Sequence, residues 1–145
     1  MNLENIISQL LEHYTVNPEL DLSNLKNIIE AYDGQDYKEL IEYSKLHYNR
    51  VVVFRNAEFE VLLLCWKPQQ ASGFHKHSSN GCIMKVLEGT ISEERKHPRG
   101  KMEIFKHSCG TTIYMANALG THRVFNETDS KVVSLHIYSP SGFHG

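Results

Sequence analysis

Two features of the 145-residue chain predict an all-β barrel or jelly roll with N-terminal α-helices packed outside it. Apolar residues recur at helical spacing only in the first third. From about Arg50 onward, short runs rich in β-branched and aromatic residues alternate with turn residues, the pattern of many short strands rather than of alternating α/β units. With no internal repeat, low-complexity segment or linker, one domain is expected, helical over 1–46 and barrel over 47–145.

Leu3, Ile6, Ile7, Leu10, Leu11 and Tyr14 form the first helical stripe, with Asn2 as cap and Pro18 as terminator. Leu22, Leu25, Ile28, Ile29 and Tyr32 repeat it, capped by Ser23 or Asp21 and ended by Gly34, and a short third helix carries Tyr37, Leu40 and Ile41. Strands are expected at Val51 to Phe54, Phe59 to Trp66, Cys82 to Leu87, Thr90 to Arg95, Thr111 to Met115 and Val132 to Tyr138. Turn chemistry separates them, for example at Lys67-Pro68, Ser79-Asn80-Gly81, Glu88-Gly89, Pro98-Arg99-Gly100, Asn117 to Gly120 and Thr128-Asp129-Ser130.

Composition narrows the function. With 41% hydrophobic residues, 22% charged residues and a formal charge of -2, the chain has no basic field to hold nucleic acid or an anionic membrane. Its longest apolar stretch, Val61 to Trp66, is too short to span a bilayer. Cys65, Cys82 and Cys109 are an odd number without C-x-x-C spacing, which argues for a reducing compartment and a cytoplasmic location. A monomer is expected, with small molecules as partners.

The chemistry centres on histidine. In a strand, residues two apart share a face, so His75 and His77 can offer both imidazoles to one metal ion, and His122 can supply a third nitrogen from a neighbouring strand. Three nitrogens on one side leave other positions open, as catalytic metal sites require. Among nine histidines a chance H-x-H is not rare, so the pair alone does not define a ligand set. Ser134, His136 and Tyr138 stand at i, i+2 and i+4, opposite in face to Val133, Leu135 and Ile137. On an edge strand the polar set would face water; inside a barrel it would form a relay in which Ser134 orients His136 and His136 orients the Tyr138 hydroxyl.

The string H-x-H-x4-C-x6-G, from His75 through His77 and Cys82 to Gly89, resembles the first cupin motif with cysteine in place of the common glutamate ligand. That substitution marks the cysteine dioxygenase family. Further similarity lies in Leu64-Cys65-Trp66, Met84 to Gly89, Gly120-x-His122-Arg123-Val124-x-Asn126, Ser134 to Pro140, and Tyr48-Asn49-Arg50.

The resemblance implies a cupin-type double-stranded β-helix and a mononuclear non-haem Fe(II) held by His75, His77 and His122. It implies that Arg50 binds the substrate carboxylate, with Tyr48 beside it, and that Tyr138 sits next to thiol and oxygen, supported by His136 and Ser134. Cys82 and Tyr138 match two positions that form a thioether crosslink in members having both. Lys76 departs from a common aspartate, and the chain is shorter at its C-terminus than animal members. The implied reaction converts L-cysteine and dioxygen to cysteine sulfinic acid, the substrate meeting iron through thiolate and amine.

Charge supports that reading. Most non-haem iron oxygenases add a carboxylate to two histidines, whereas three neutral imidazoles leave the ion's charge unbalanced and a substrate thiolate can supply the missing anion. Arginine at position 50 suits a carboxylate bidentately and contributes about 1.5 to 3 kcal/mol in a partly dry pocket. Siblings acting on 3-mercaptopropionate usually carry glutamine there. Arg55 in a nearby turn is the rival cation, and Tyr48 either assists the carboxylate or packs. Cys65 and Trp66 are read as core or pocket wall, Cys109 as a free thiol, and His13, His47, His97, His107 and His144 as solvated. The run Glu93-Glu94-Arg95-Lys96 is read as a solvated loop edge. The alternatives are another small thiol carboxylate such as 3-mercaptopropionate, a non-catalytic metal-binding cupin, and a zinc hydrolase.

Overall fold

The computed structural model describes residues 1–116 and 120–142, so the expected turn at Asn117 to Gly120, apart from Gly120 itself, and His144 lie outside the described residues. Helix α1 (Leu3–Val16) begins at a reciprocal cap: the Asn2 side chain accepts from the Asn5 amide, and the Asn5 side chain accepts from the Asn2 amide. Asp21 rather than Ser23 caps the next unit, accepting from the Ser23 amide at 2.8 Å. That unit is a 3-10 turn (Leu22–Leu25) running into a short helix α2 (Lys26–Glu30), and the third expected helix is a 3-10 turn over Asp36–Leu40.

Eight strands follow among the described residues: β1 (Asn49–Arg55), β2 (Glu60–Trp66), β3 (Cys82–Glu88), β4 (Thr90–Lys96), β5 (Met102–Ser108), β6 (Thr112–Met115), β7 (Thr121–Phe125) and β8 (Val132–Tyr138). They form two antiparallel sheets, ordered β1-β2-β8-β3-β6 and β5-β4-β7. Isolated bridges from Ala71 to Phe125 and from His75 to His122 tie the segment before β3 to the smaller sheet. β5 was not expected from sequence. It is an edge strand on which Met102 and Ile104 are exposed, so its apolar residues do not mark a buried face.

Alternation on β2 and β8 splits the interior in two. Val61, Leu63 and Cys65, with Val133, Leu135 and Ile137, face Leu3, Ile6, Leu10 and Ile29 of the helices. Leu62, Leu64 and Trp66 face the other way, with Met84, Val86 and Val124. The helices therefore cover the outer face of the larger sheet, each fully buried Leu or Ile contributing roughly 1.5–3 kcal/mol. Buried Lys85 joins the layers, donating from Nζ to the carbonyls of Glu30 at 2.8 Å and Tyr32 at 2.6 Å, where the end of α2 leaves acceptors open.

Candidate active site

β8 is the middle strand of the larger sheet, and every residue of it is buried. Ser134, His136 and Tyr138 point to the inner side, which rules out the exposed edge strand. Ser134 Oγ lies 2.8 Å from His136 Nε2, and His136 Nδ1 lies 3.3 Å from the Tyr138 hydroxyl. Trp66 on β2 extends the series, its indole donating to Ser134 Oγ at 3.0 Å. Across the sheet, β3 sets Cys82 opposite Tyr138, and the two side chains are hydrogen-bonded. Burial pushes the Cys82 thiol well up, against the pull of that hydrogen bond, and burial with the neighbouring Cys82 pushes the Tyr138 phenol up likewise.

The histidines converge from different elements. His122 is on β7, whereas His75 sits in an isolated bridge and His77 in the loop beyond it, so the H-x-H pair is not carried on a regular strand as expected. The ring centroids lie 4.5 Å apart for His75 and His122, 4.3 Å for His77 and His122, and 6.3 Å for His75 and His77. Burial lowers the pKa of His75 to about 4 and of His77 to about 3, with the neighbouring imidazole of His122 adding to both. Burial also lowers that of His136 to about 3.

Hydrogen-bond partners decide the tautomers of two rings. His122 Nδ1 is 2.6 Å from the Glu93 carboxylate and His75 Nδ1 is 3.0 Å from the Gly73 carbonyl; both partners can only accept, so each Nδ1 carries the hydrogen. The two Nε2 atoms, 3.0 Å apart, then confront each other with lone pairs. Such a pair calls for a cation, and burial disfavours a proton on His75. Metal–imidazole bonds of about 2.1 Å meeting at a right angle place their nitrogens about 3 Å apart, so the spacing fits two ligands of one ion. Among the described residues, no three His, Cys, Asp or Glu side chains already meet the full geometry of a metal-ligand set. The donor chemistry fits a metal even so, with two lone pairs facing each other and the third ring against His122.

Glu93 corrects the sequence reading of a solvated run. It lies on β4 with no exposed surface, accepting from His107 at 2.9 Å and Arg95 at 3.0 Å on one oxygen and from His122 on the other. Burial alone would raise its pKa; the hydrogen bonds from His107, His122 and Arg95 override that and hold the carboxyl well below the usual range. His107 is accordingly buried rather than solvated. A signal was available: Glu93 lies two positions from the core residue Ile91 on the same strand and must share its face.

Tyr48, Arg50, Trp66, His75, His122, His136 and Tyr138 line one narrow cavity. His77 and Cys82 lie behind that lining, against His122 and Tyr138. Tyr48 stacks on Trp66 with centroids 4.3 Å apart, so it packs while also bordering the cavity. Arg55 is engaged elsewhere, 2.6 Å from buried Glu60, which leaves Arg50 as the cavity's arginine. Cys65 is core, Trp66 is cavity wall, and exposed Cys109 donates to the Leu87 carbonyl. No helix among the described residues is long and apolar enough to cross a membrane.

Two antiparallel sheets closing over inward-facing histidines define the cupin class. Solved structures agree: a Thermus thermophilus protein aligns with a TM-score of 0.63 at 25% identity, covering 75% of this chain and 98% of its own, and a cupin domain from Bordetella pertussis aligns with a TM-score of 0.52 at 19% identity, covering 64% and 93%. The family model for cysteine dioxygenase type I matches residues 1–143, and the chain belongs to that family. Cysteine dioxygenase type 1 of Danio rerio is 29% identical over 153 residues, spanning 95% of this chain and 74% of its own length. The protein is thus a thiol dioxygenase of the cupin superfamily, in a metal-dependent family.

Proposed function

We propose that this chain is an Fe(II)-dependent dioxygenase converting L-cysteine to cysteine sulfinic acid, with His75, His77 and His122 as metal ligands. The observation that carries the reading is a single cavity bordered by Arg50, by the facing nitrogens of His75 and His122, and by Tyr138. A guanidinium opposite a metal position suits a substrate with a carboxylate at one end and a thiol near the other.

When bound, Fe(II) supplies the Lewis acidity that favours thiolate over thiol and the redox chemistry that makes dioxygen reactive. The protein's own residues do the rest. Arg50 clamps the carboxylate, which fixes the substrate's orientation and converts encounter into a positioned reaction. The walls formed by Tyr48, Leu64 and Trp66 exclude water and strengthen that ion pair. Tyr138, oriented by His136 and Ser134, directs its hydroxyl toward the reacting sulfur and oxygen atoms, and Glu93 holds His122 in the tautomer that leaves Nε2 for the metal.

Anaerobic loading with Fe(II), followed by oxygen-uptake measurements with cysteine, 3-mercaptopropionate and cysteamine, tests metal, reaction and substrate together. Uptake with cysteine above the other two, yielding the sulfinate, is expected. A preference for 3-mercaptopropionate would reassign the substrate, and metal binding without oxygen uptake on any thiol would make the chain a binding cupin.

A further inference from the structure

We infer that Trp66 is a positioning residue that fixes the direction of the hydrogen bonds leading to Tyr138, holding His136 as its Nδ1-protonated tautomer and Tyr138 as a donor into the cavity. An indole nitrogen donates and never accepts, so the 3.0 Å contact from Trp66 Nε1 to Ser134 Oγ has one possible polarity. Ser134 is fully buried, and its hydroxyl has two partners among the described residues, Trp66 and His136. Were Ser134 to accept from both, its own hydrogen would be buried with no acceptor, at a desolvation cost. The Ser134 hydrogen therefore goes to His136 Nε2 at 2.8 Å.

One choice then forces the next. Burial, with the nearby His122 and Arg50, keeps the His136 ring neutral, so it carries a single hydrogen. With Nε2 accepting, that hydrogen is on Nδ1 and is donated to the Tyr138 oxygen at 3.3 Å. The phenol hydrogen is thereby turned away from His136, on the side where Cys82 and the cavity lie. The indole N–H bars any acceptor from its side of Ser134; where it is removed, a water in its place can accept the Ser134 hydrogen, so that Ser134 accepts from His136, the imidazole takes its other tautomer, and Tyr138 spends its hydrogen on His136 Nδ1. Trp66 thus sets what Tyr138 offers to a bound molecule through Ser134 and His136, apart from its place in the cavity wall. This polarity needs neither metal nor substrate; only its consequence for turnover rests on the thiol dioxygenase reading.

Long-range proton–nitrogen NMR on the metal-free 145-residue chain, labelled with 15N-histidine and held near pH 7 with chelator, reads the tautomer directly. The expected spectrum of His136 has a pyrrole-type Nδ1 and a pyridine-type Nε2; the reverse overturns the inference. Trp66→Phe keeps an aromatic ring against Tyr48 and removes the N–H together with part of the buried ring, leaving room for a water beside Ser134, so mixed nitrogen shifts at His136 are expected. Ser134→Ala, which removes the intermediary, is expected to release the tautomer in the same way should the tryptophan variant fold poorly. An unchanged Nδ1-protonated ring in the folded variants would overturn the role of Trp66. In iron-loaded Trp66→Phe, kcat should fall with the surviving Nδ1 fraction, about twofold for an equal mixture. If the wild-type protein consumes no oxygen on any thiol, the functional reading fails while the NMR result still decides the polarity.

Discussion

Glu93 Oε2 lies 2.6 Å from His122 Nδ1, while Glu93 Oε1 is shared between His107 at 2.9 Å and Arg95 at 3.0 Å. This arrangement bears on the charge argument for the substrate. The Glu93 carboxylate is an anion held directly against one of the three imidazoles, and it is already matched by the Arg95 guanidinium. The pair is neutral overall, so the charge of a metal on His75, His77 and His122 still favours an anionic ligand from outside. Arg95, lying over the Phe105 ring at 4.2 Å, is itself held in place for this purpose.

Replacing Glu93 by Gln keeps the shape and removes the charge that orients His122. Metal affinity should fall about 10–100-fold, the usual cost of losing an outer partner of a ligating histidine. Chelator competition with the purified variant measures this, and His122→Ala, which should abolish metal retention, sets the lower limit. An unchanged affinity in Glu93→Gln would leave the carboxylate a purely structural role.

Gly120 shows why the G-x-H spacing ahead of His122 is needed. Its φ is +97°, and a β-carbon there would run into the Lys96 carbonyl of the neighbouring strand. Gly120→Ala should cost about 1–3 kcal/mol of stability and displace the start of β7, weakening metal binding as well. Urea unfolding of the metal-free variant separates the two effects; a wild-type midpoint would refute the steric argument.

These two residues also mark where the sequence was and was not legible. The G-x-H-R-V pattern, the H-x-H pair and the alternation from Val132 to Tyr138 could be read because each couples a backbone requirement or a period of two to a chemically distinctive side chain. Glu93 and His107 were misread because a charged run looks solvated whenever its partners are distant in sequence: Glu93 is 14 residues from His107 and 29 from His122. β5 hid for the complementary reason, since an edge strand with exposed Met102 and Ile104 gives no clean inside face. The Trp66 to Ser134 contact spans 68 residues and appears only when β2 and β8 pair.

Arg50 carries the proposed substrate choice. Loss of a charge-assisted clamp of about 1.5–3 kcal/mol predicts that Arg50→Ala raises KM for cysteine roughly 10- to 150-fold, with a smaller change in kcat. The corresponding loss should be much weaker for cysteamine, which has no carboxylate. Equal losses for both thiols would show that Arg50 shapes the cavity rather than binding the carboxylate. Arg55→Ala should leave both constants near wild type, since its partner is Glu60.

Acid should destabilise the metal-free protein through its buried neutral histidines. For His136 the folded pKa is about 3 against an ordinary 6.5, so the unfolded chain takes up a proton that the native state refuses. Stability from this group is fully present above pH 6.5 and falls by up to about 1.4 kcal/mol per pH unit as the pH drops toward 3. His75 and His77 act with the same sign, and the depressed Glu93 carboxyl adds to the loss only below the ordinary carboxylate range. Urea midpoints at pH 7 and pH 5 in chelator should separate for the wild type and separate less for His136→Gln. Identical separations would mean that His136 does not stay neutral in the folded state.

The pairing of Cys82 with Tyr138 across β3 and β8 leads to a covalent prediction. Directly opposed residues on antiparallel strands have β-carbons about 4.5–5.5 Å apart, close enough for a cysteine sulfur to reach the edge of a facing tyrosine ring. Burial holds both groups in their neutral forms, so no bond is expected at rest in the absence of an oxidant. Joining sulfur to ring carbon releases one hydrogen from the thiol and one from the ring, two protons and two electrons that the dioxygen of the proposed reaction would take up as oxidant. Intact-mass spectrometry before and after many cycles with cysteine should therefore show a growing species lighter by two hydrogens, with the linked peptides coming from β3 and β8. Cys82→Ser and Tyr138→Phe should each remain at the unmodified mass. A two-hydrogen loss persisting in Cys82→Ser would place the oxidation elsewhere, and no mass change in the wild type after prolonged turnover would show that register alone does not make the bond.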